Sequence, residues 1–445
     1  MDCNLNNILK YSDSPYKMSG YYDTLLQCNL IPKNDINETI LSNYKKLQQK
    51  RKNDISNEIV ILALGDISLT RDIEKYNIKN DKGQFIHPFK YVKKYLRDSD
   101  ITIGNLETLI TTKGSPYSLK SPELQFRSLP SSINSLLDSG INIVNISNNH
   151  CNDFNKKGII DSAKYIKNVG IDVIGLKDNI IDEINSYKIF HIKGIKICFI
   201  GITRPFKKLK KLNIINILDN NNKNIINLIK NKRNEVDILI VSIHWGTEYS
   251  FTKDKYQDKT SDLLIDNGVD IILGHHPHTI QKTEIKYSRI NKNHFGYVFY
   301  SLGNFVFDSH VKKSGVRNTF ILKIIIDTNI LKDIINKKKI KNIKQNPIRF
   351  EYLPCIIYPN KGFSPIPVIK SYQTIYPKLY TKKGDDLYKY IKCAKTASCK
   401  EGFTNNNNNN NVLKYNHFNN KLILIPICVL ILFIIIKTYK LQIKV

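Results

Sequence analysis

Six short apolar runs set the rhythm of the chain. "EIVILALGD", "DITIGNLE", "GINIVNISNNH", "KICFIGITR", "VDILIVSIHWG" and "VDIILGHHPH" each place a mostly branched apolar stretch ahead of a polar cluster. Continuous apolar runs of this length, bounded by turn residues, read as strands buried on both faces. Between several of them, "HPFKYVKKYLRD", "KKGIIDSAKYIKNVG" and "YQDKTSDLLIDNG" carry apolar residues at helical spacing. Strand alternating with helix predicts an α/β domain with largely parallel strands. In such sheets functional residues gather at the carboxyl ends of the strands, and all six runs are polar at that end. The later runs "HFGYVFYSLGNFVFD" and "NTFILKIIID" have no helix between them and predict antiparallel strands completing a second sheet.

The flanks differ from this core. Residues 1–57 are polar and read as an extension with some helix and no core of its own. Residues 58–330 form the main domain, and 331–403 are a basic region that could complete it. Residues 404–420 hold an asparagine homopolymer, the composition of a disordered linker. Residues 421–437, "KLILIPICVLILFIIIK", are apolar on every face between two lysines, and 438–445 are a basic tail. The uncharged part would be a helix of about 22 Å at about 1.5 Å per residue. That is short of a hydrocarbon core of about 30 Å, but terminal lysines can extend the span by snorkelling. The expectation is a single-pass C-terminal membrane anchor. The opening "MDCNLNNILKYSDSPYK" lacks a signal-peptide pattern, so the catalytic domain is expected on the cytosolic side. Eight cysteines without a CxxC pair suggest a reducing compartment, with Cys151 buried and inert.

Charge adds one constraint. The chain holds 68 Lys and Arg against 39 Asp and Glu, a formal +29. That excess suits an anionic substrate or lipid, and equally a solvated, lysine-biased composition. Nucleic acid is disfavoured, since no helix-turn-helix, zinc finger or RNP-like motif accompanies the charge.

The strand ends taken together supply the candidate chemistry. They offer Asp66, Asn105, Glu107, Asn149, His150, Asp153, His244, His276 and His278. Carboxylate, carboxamide and imidazole donors without thiolate suit divalent Mn, Fe, Zn or Mg. The set is too large for one tetrahedral ion, so two neighbouring divalent ions are the natural reading. Pro277 fixes the backbone between His276 and His278.

The ordered motifs "LGDISLTR", "GNLETLIT", "NIVNISNNHCND", "VSIHWGTEY", "GHHPHTIQ" and "YSLGNFVFD" resemble the CapA-type (poly-γ-glutamate capsule biosynthesis) branch of the calcineurin-like metallophosphoesterases. The resemblance implies a metallophosphoesterase-like sandwich of two mixed β-sheets flanked by helices, joined here to the C-terminal hydrophobic helix. It implies Asp66, Glu107, Asn149, His244, His276 and His278 as metal ligands, and His150 with Asn105 as catalytic residues. His275 would be a neighbour. Asp153, Trp245, Glu248, Arg71 and Asn304 would support the ligands or meet substrate, Trp245 as a wall of the site. Ser68 stands where the superfamily usually has a metal-binding histidine, and the bridging carboxylate is Glu107 where an aspartate is usual. The implied function is a metal-dependent hydrolase or transferase acting on a phosphoester or an anionic polymer such as poly-γ-glutamate. The alternative is a membrane-tethered, polyanion-binding accessory protein without turnover.

Overall fold

The computed structural model describes residues 18–375, apart from 118–119, 179, 182–183, 185, 210–211, 220–222, 310–314 and 337–345, together with Cys3 and Leu5. All of these belong to one compact unit, Met1–Cys399. The expected linker and C-terminal anchor lie outside the described residues. Among the described residues no helix is long and apolar enough to cross a membrane.

The strands are β1 (Glu58–Ile67), β2 (Ile101–Leu106), β3 (Leu109–Ile110), β4 (Arg127–Ser128), β5 (Ile143–Asn145), β6 (Asp172–Ile174), β7 (Tyr187–Ile192), β8 (Ile195–Thr203), β9 (Ile238–His244), β10 (Ile271–His275), β11 (Thr283–Tyr287), β12 (Phe295–Phe299), β13 (Asn304–Val306), β14 (Asn318–Asp327), β15 (Ile348–Tyr358), β16 (Ser364–Pro367) and β17 (Gln373–Ile375). One mixed sheet runs β16-β15-β14-β1-β2-β5-β6, with β13 beside β1 and β17 beside β15. The second runs β11-β12-β10-β9-β8-β7. The six runs predicted as strands are β1, β2, β5, β8, β9 and β10, parallel within their sheets.

Alternation along these strands builds a sandwich. Ile59, Ile61 and Ala63 of β1 and Ile101 and Ile103 of β2 share one buried cluster with Ile197 and Phe199 of β8, Ile240 of β9 and Leu273 of β10. The intervening residues of the first sheet, such as Leu62 and Leu64, pack with Ile133, Leu137, Ile159 and Ile166 from helices. Those of the second, such as Val241 and Ile272, pack with Ile225, Ile229, Leu264 and Ile265 from helices Lys223–Glu235 and Lys255–Asp266. Each fully buried Ile or Leu is worth about 1.5–3 kcal/mol, which is why both faces of these strands are apolar.

Three expectations change. "HFGYVFYSLGNFVFD" is not one antiparallel strand. Its first half, β12, lies in the second sheet, antiparallel to β11 as expected and parallel to β10. Its second half, β13, pairs parallel with the end of β1 in the first. Gly303, at φ 71°, lies at the crossing. A Cβ on Gly65 would sit 2.0 Å from the Gly303 carbonyl oxygen, so the crossing needs glycine there. "NTFILKIIID" is β14, antiparallel to β1 and so part of the first sheet. Helical spacing in "HPFKYVKKYLRD" yields one four-residue turn, Lys93–Leu96.

The flanks also take definite places. Helix Glu38–Lys52 buries Ile40, Tyr44 and Arg51. Arg51 donates to the carbonyls of Gly140 and Leu96. The N-terminal helices thus lie against the domain's core. β15 pairs along β14 and carries β16 and β17. Cys3 and Cys28 form a disulfide, with Cα atoms 5.5 Å apart. The cysteine pattern did not point to this pair, because a separation of 25 residues matches no motif. Cys151, Cys198 and Cys355 are free and buried.

Candidate metal centre

Parallel register brings the polar ends of both sheets together. Asp66 is paired with Asn105 across β1 and β2, and with Asn304 across β1 and β13. In the second sheet His275 is level with His244. Beyond β10 the chain turns sharply, with His276 at φ 95° and His278 at φ 57°. Non-glycine residues at such angles cost of order 1–3 kcal/mol and persist where the surroundings impose them. Here the His276 N–H donates to Asp66 Oδ2 at 3.2 Å, tying the loop to the opposite sheet.

Glu107 lies at the centre. It is fully buried, and neither carboxylate oxygen has a hydrogen-bond partner. Its Oε1 lies 3.6 Å from His244 Nε2, 3.7 Å from His150 Nε2 and 4.0 Å from His278 Nε2. Donor atoms of Glu107, His276 and His278 all lie within 4.8 Å of one another, as do those of Asp66, Glu107 and His244. Glu107 is common to both groups, as a bridging carboxylate would be. His276 Nδ1 is also buried without a hydrogen-bond partner.

The surrounding hydrogen bonds fix several tautomers. His278 Nδ1 is 2.8 Å from Asn304 Oδ1 and 3.2 Å from Asp66 Oδ2. Asn304 Nδ2 is committed to the Val316 carbonyl, so its oxygen accepts and His278 Nδ1 carries the proton. His278 Nε2 is then the atom offered toward Glu107. Asn105 donates to Asp66 Oδ1 at 2.8 Å and reaches His244 Nδ1 at 3.2 Å. With Nδ1 accepting, His244 Nε2 donates to Asn149 Oδ1 at 2.9 Å. Exchanging that proton for a cation would leave a nitrogen and an oxygen donor side by side.

Electrostatics point the same way. Burial pushes Glu107 well above the carboxylate range, and the charge of Asp66 adds to this. Burial opposes ionisation of Asp66 too, but the imidazoles of His275 and His278 outweigh it and hold its pKa well below the usual value. Burial disfavours charge on His278, yet Glu107 and Asp66 raise it to about 9. Burial, with neighbouring imidazoles, lowers His244 and brings His276 to about 3. The cluster therefore relieves surplus negative charge by holding protons, which a divalent cation would displace. The residues present fit a divalent ion.

His150 is turned toward the same centre from the first sheet's side. Its Nδ1 is 2.7 Å from Asp153 Oδ2 and 2.9 Å from Lys120 Nζ. Phe126 stacks on its ring with centroids 3.7 Å apart. Burial, then the charge of Lys120, lowers the His150 pKa well below its ordinary value. Burial brings Lys120 to about 7 against the pull of Asp153. Nδ1 cannot donate to Asp153 and accept from Lys120 at once, so the choice between them sets whether Nε2 carries a proton.

Several expected residues take other places. Asn105 is fully buried and committed to Asp66 and His244, so it positions two of the candidate ligands. Arg71 forms an ion pair with buried Asp308 and lies over Phe126, 4.5 Å from the ring centroid. It props the ring that stacks on His150. Trp245 is fully buried, donates to the Tyr300 carbonyl and belongs to the core behind the second sheet. Glu248 is exposed and acts on His278 only through its charge. Ser68 Oγ is buried with no hydrogen-bond partner. His275 approaches Asp66 Oδ1 at 3.4 Å and stands outside both donor groups, as a neighbour would.

Sequence reasoning missed Lys120, Phe126, Lys208 and Asn148. Asn148 donates to the Leu106 carbonyl and accepts from the His150 N–H, fixing the turn that carries His150. Its place in "NNH" was a usable signal. The lysines were indistinguishable within a lysine-rich chain.

Residues 60–309 match the family described as "Bacterial capsule synthesis protein PGA_cap". The chain belongs to this family. "Capsule biosynthesis protein CapA" of Bacillus anthracis is 28% identical over 259 residues, 56% of this chain and 60% of that protein. "PGA biosynthesis protein CapA" of Bacillus subtilis (strain 168) is 28% identical over 267 residues, 57% of this chain and 67% of that protein. "Probable polyglutamine synthesis accessory protein Rv0574c" of Mycobacterium tuberculosis (strain ATCC 25618 / H37Rv) is 24% identical over 200 residues, 42% of this chain and 52% of that protein. The similarity thus spans about two thirds or less of each relative.

Proposed function

We propose that this PGA_cap protein is a metal-dependent hydrolase or transferase of the metallophosphoesterase type, acting on a phosphoester or an anionic polymer such as poly-γ-glutamate. The observation that carries the reading is the buried Glu107 carboxylate, without a hydrogen-bond partner and approached by three imidazole nitrogens. Asp66, Glu107, Asn149, His244, His276 and His278 would hold one or two divalent ions. A bound divalent ion supplies Lewis acidity toward a phosphoryl or acyl oxygen. Asn105, Asn304 and Asp66 fix the ligand imidazoles. His150 presents Nε2 to the space beside Glu107; when its Nδ1 accepts from Lys120, Nε2 carries the ring proton and can give it to a leaving oxygen. The names of the Bacillus relatives, and the +29 charge, support an anionic polymer as substrate.

The second reading, a polyanion-binding accessory protein without turnover, is favoured by Ser68, which supplies no imidazole at the first motif. Elemental analysis of metal-replete protein, paired with assays on a generic phosphodiester and a γ-glutamyl oligomer, separates the two. The expected result is one or two divalent ions per chain and metal-dependent turnover. His276→Ala should weaken metal binding about 10–100-fold. No bound metal in the wild type would overturn the metal centre; bound metal with no turnover of either substrate would favour the accessory reading.

A further inference from the structure

The region beside His150 holds more positive charge than its own structure requires. Asp153 is fully buried and accepts from the Phe126 N–H at 2.8 Å, with Lys120 Nζ at 2.7 Å, Lys208 Nζ at 3.2 Å and His150 Nδ1 at 2.7 Å around it. One lysine would balance one carboxylate. The second leaves a local surplus in a mostly buried setting, relieved either by loss of the Lys120 proton, whose pKa burial brings to about 7, or by an anion that offsets the charge. Both lysine side chains keep an outlet, at 15% and 17% exposure. Each ammonium carries three donors, and Lys208 directs one of them to Asp153 Oδ1. The pair also bears on the metal-ligand candidates: the charge of Lys120 acts on Glu107, and those of Lys208 and Arg204 act on His276. Phe126 stacks on His150 and Phe206 packs edge-on against His276, with centroids 3.7 Å and 4.9 Å apart.

We propose that Lys120 and Lys208, gathered on Asp153 beside His150, form a subsite for a second anionic group of the substrate, a carboxylate or phosphate next to the one that reacts. The subsite rests on the proposed function in taking its anion from the substrate of that centre. It selects chains with repeated negative charge over simple esters.

The test is calorimetric binding of two probes, tri-γ-glutamate and inorganic pyrophosphate, to the full chain with and without added Mn²⁺. Wild type is compared with Lys208→Met, Lys120→Met and the charge-retaining Lys208→Arg, with metal content and far-UV circular dichroism measured on each. Charge-assisted hydrogen bonds of this kind predict a loss of about ten- to hundredfold in affinity for Lys208→Met at unchanged metal content, with Lys208→Arg close to wild type. A loss confined to tri-γ-glutamate supports the subsite and makes its ligand a carboxylate; one confined to pyrophosphate supports it as a phosphate site. The same loss in protein that holds no metal supports the subsite while removing the metal reading. Wild-type affinity for both probes in both folded Lys→Met variants overturns the proposal, as does the absence of binding by the wild type.

Discussion

His150 shows how much one side chain depends on its neighbours here. Its reach toward Glu107 is set by Asp153 and Lys120 at Nδ1 and by Phe126 on its face. Since it stands outside both donor groups, His150→Ala should keep metal and circular dichroism while lowering turnover by about 10²–10⁴-fold, the usual contribution of a general acid. Loss of metal in that variant would make His150 a ligand; unchanged turnover would remove it from the chemistry. The type of each candidate ligand was legible in the sequence, because polar residues directly after buried strands have few structural reasons to be there. Roles such as those of Asn105 and Arg71 were not. They are decided by Asp66 and Asp308, which lie 39 and 237 residues away in the chain.

At the scale of elements, helix Asp72–Asp81 docks through a buried carboxyl. Glu74 Oε2 accepts from the Leu129 N–H at 3.1 Å beside Arg127, and burial raises its pKa from 4.5 to about 8. A folded-state pKa above the unfolded one means that the folded protein retains a proton the unfolded chain releases. The stability associated with that proton is fully present below pH 4.5 and is lost as pH rises toward 8, by at most about 1.4 kcal/mol per pH unit. Glu74→Gln keeps the shape without the titration. Denaturant midpoints of metal-free protein at pH 5 and pH 8 should therefore diverge, with the variant gaining on wild type at pH 8. A constant difference would mean that Glu74 is ionised in the fold. Strand positions were legible in the six apolar runs, whereas the partner of each strand was not. β12 and β13 look alike in sequence yet join different sheets, because apolar alternation reports burial and carries no information on which neighbour supplies it.

For the whole molecule, we propose that residues 421–437 anchor the protein in a membrane. They lie outside the described residues, so the proposal stands on composition alone. Full-length protein should resist extraction by alkaline carbonate, and a version ending at Asn420 should not; equal extraction of both would leave any attachment to the basic surface. The sequence by itself determined the α/β class, the six central strands, the family motifs and the donor types of the candidate centre. Each of these follows from local periodicity or from residues adjacent in the chain. Only the tertiary structure decided that Glu107 is common to both donor groups, that Lys120, Lys208 and Asp153 converge on His150, that residues from β15 onward join the first sheet, and that Cys3 meets Cys28. These are pairings between segments far apart in the chain, set by how two sheets close on one another, and no local pattern encodes them.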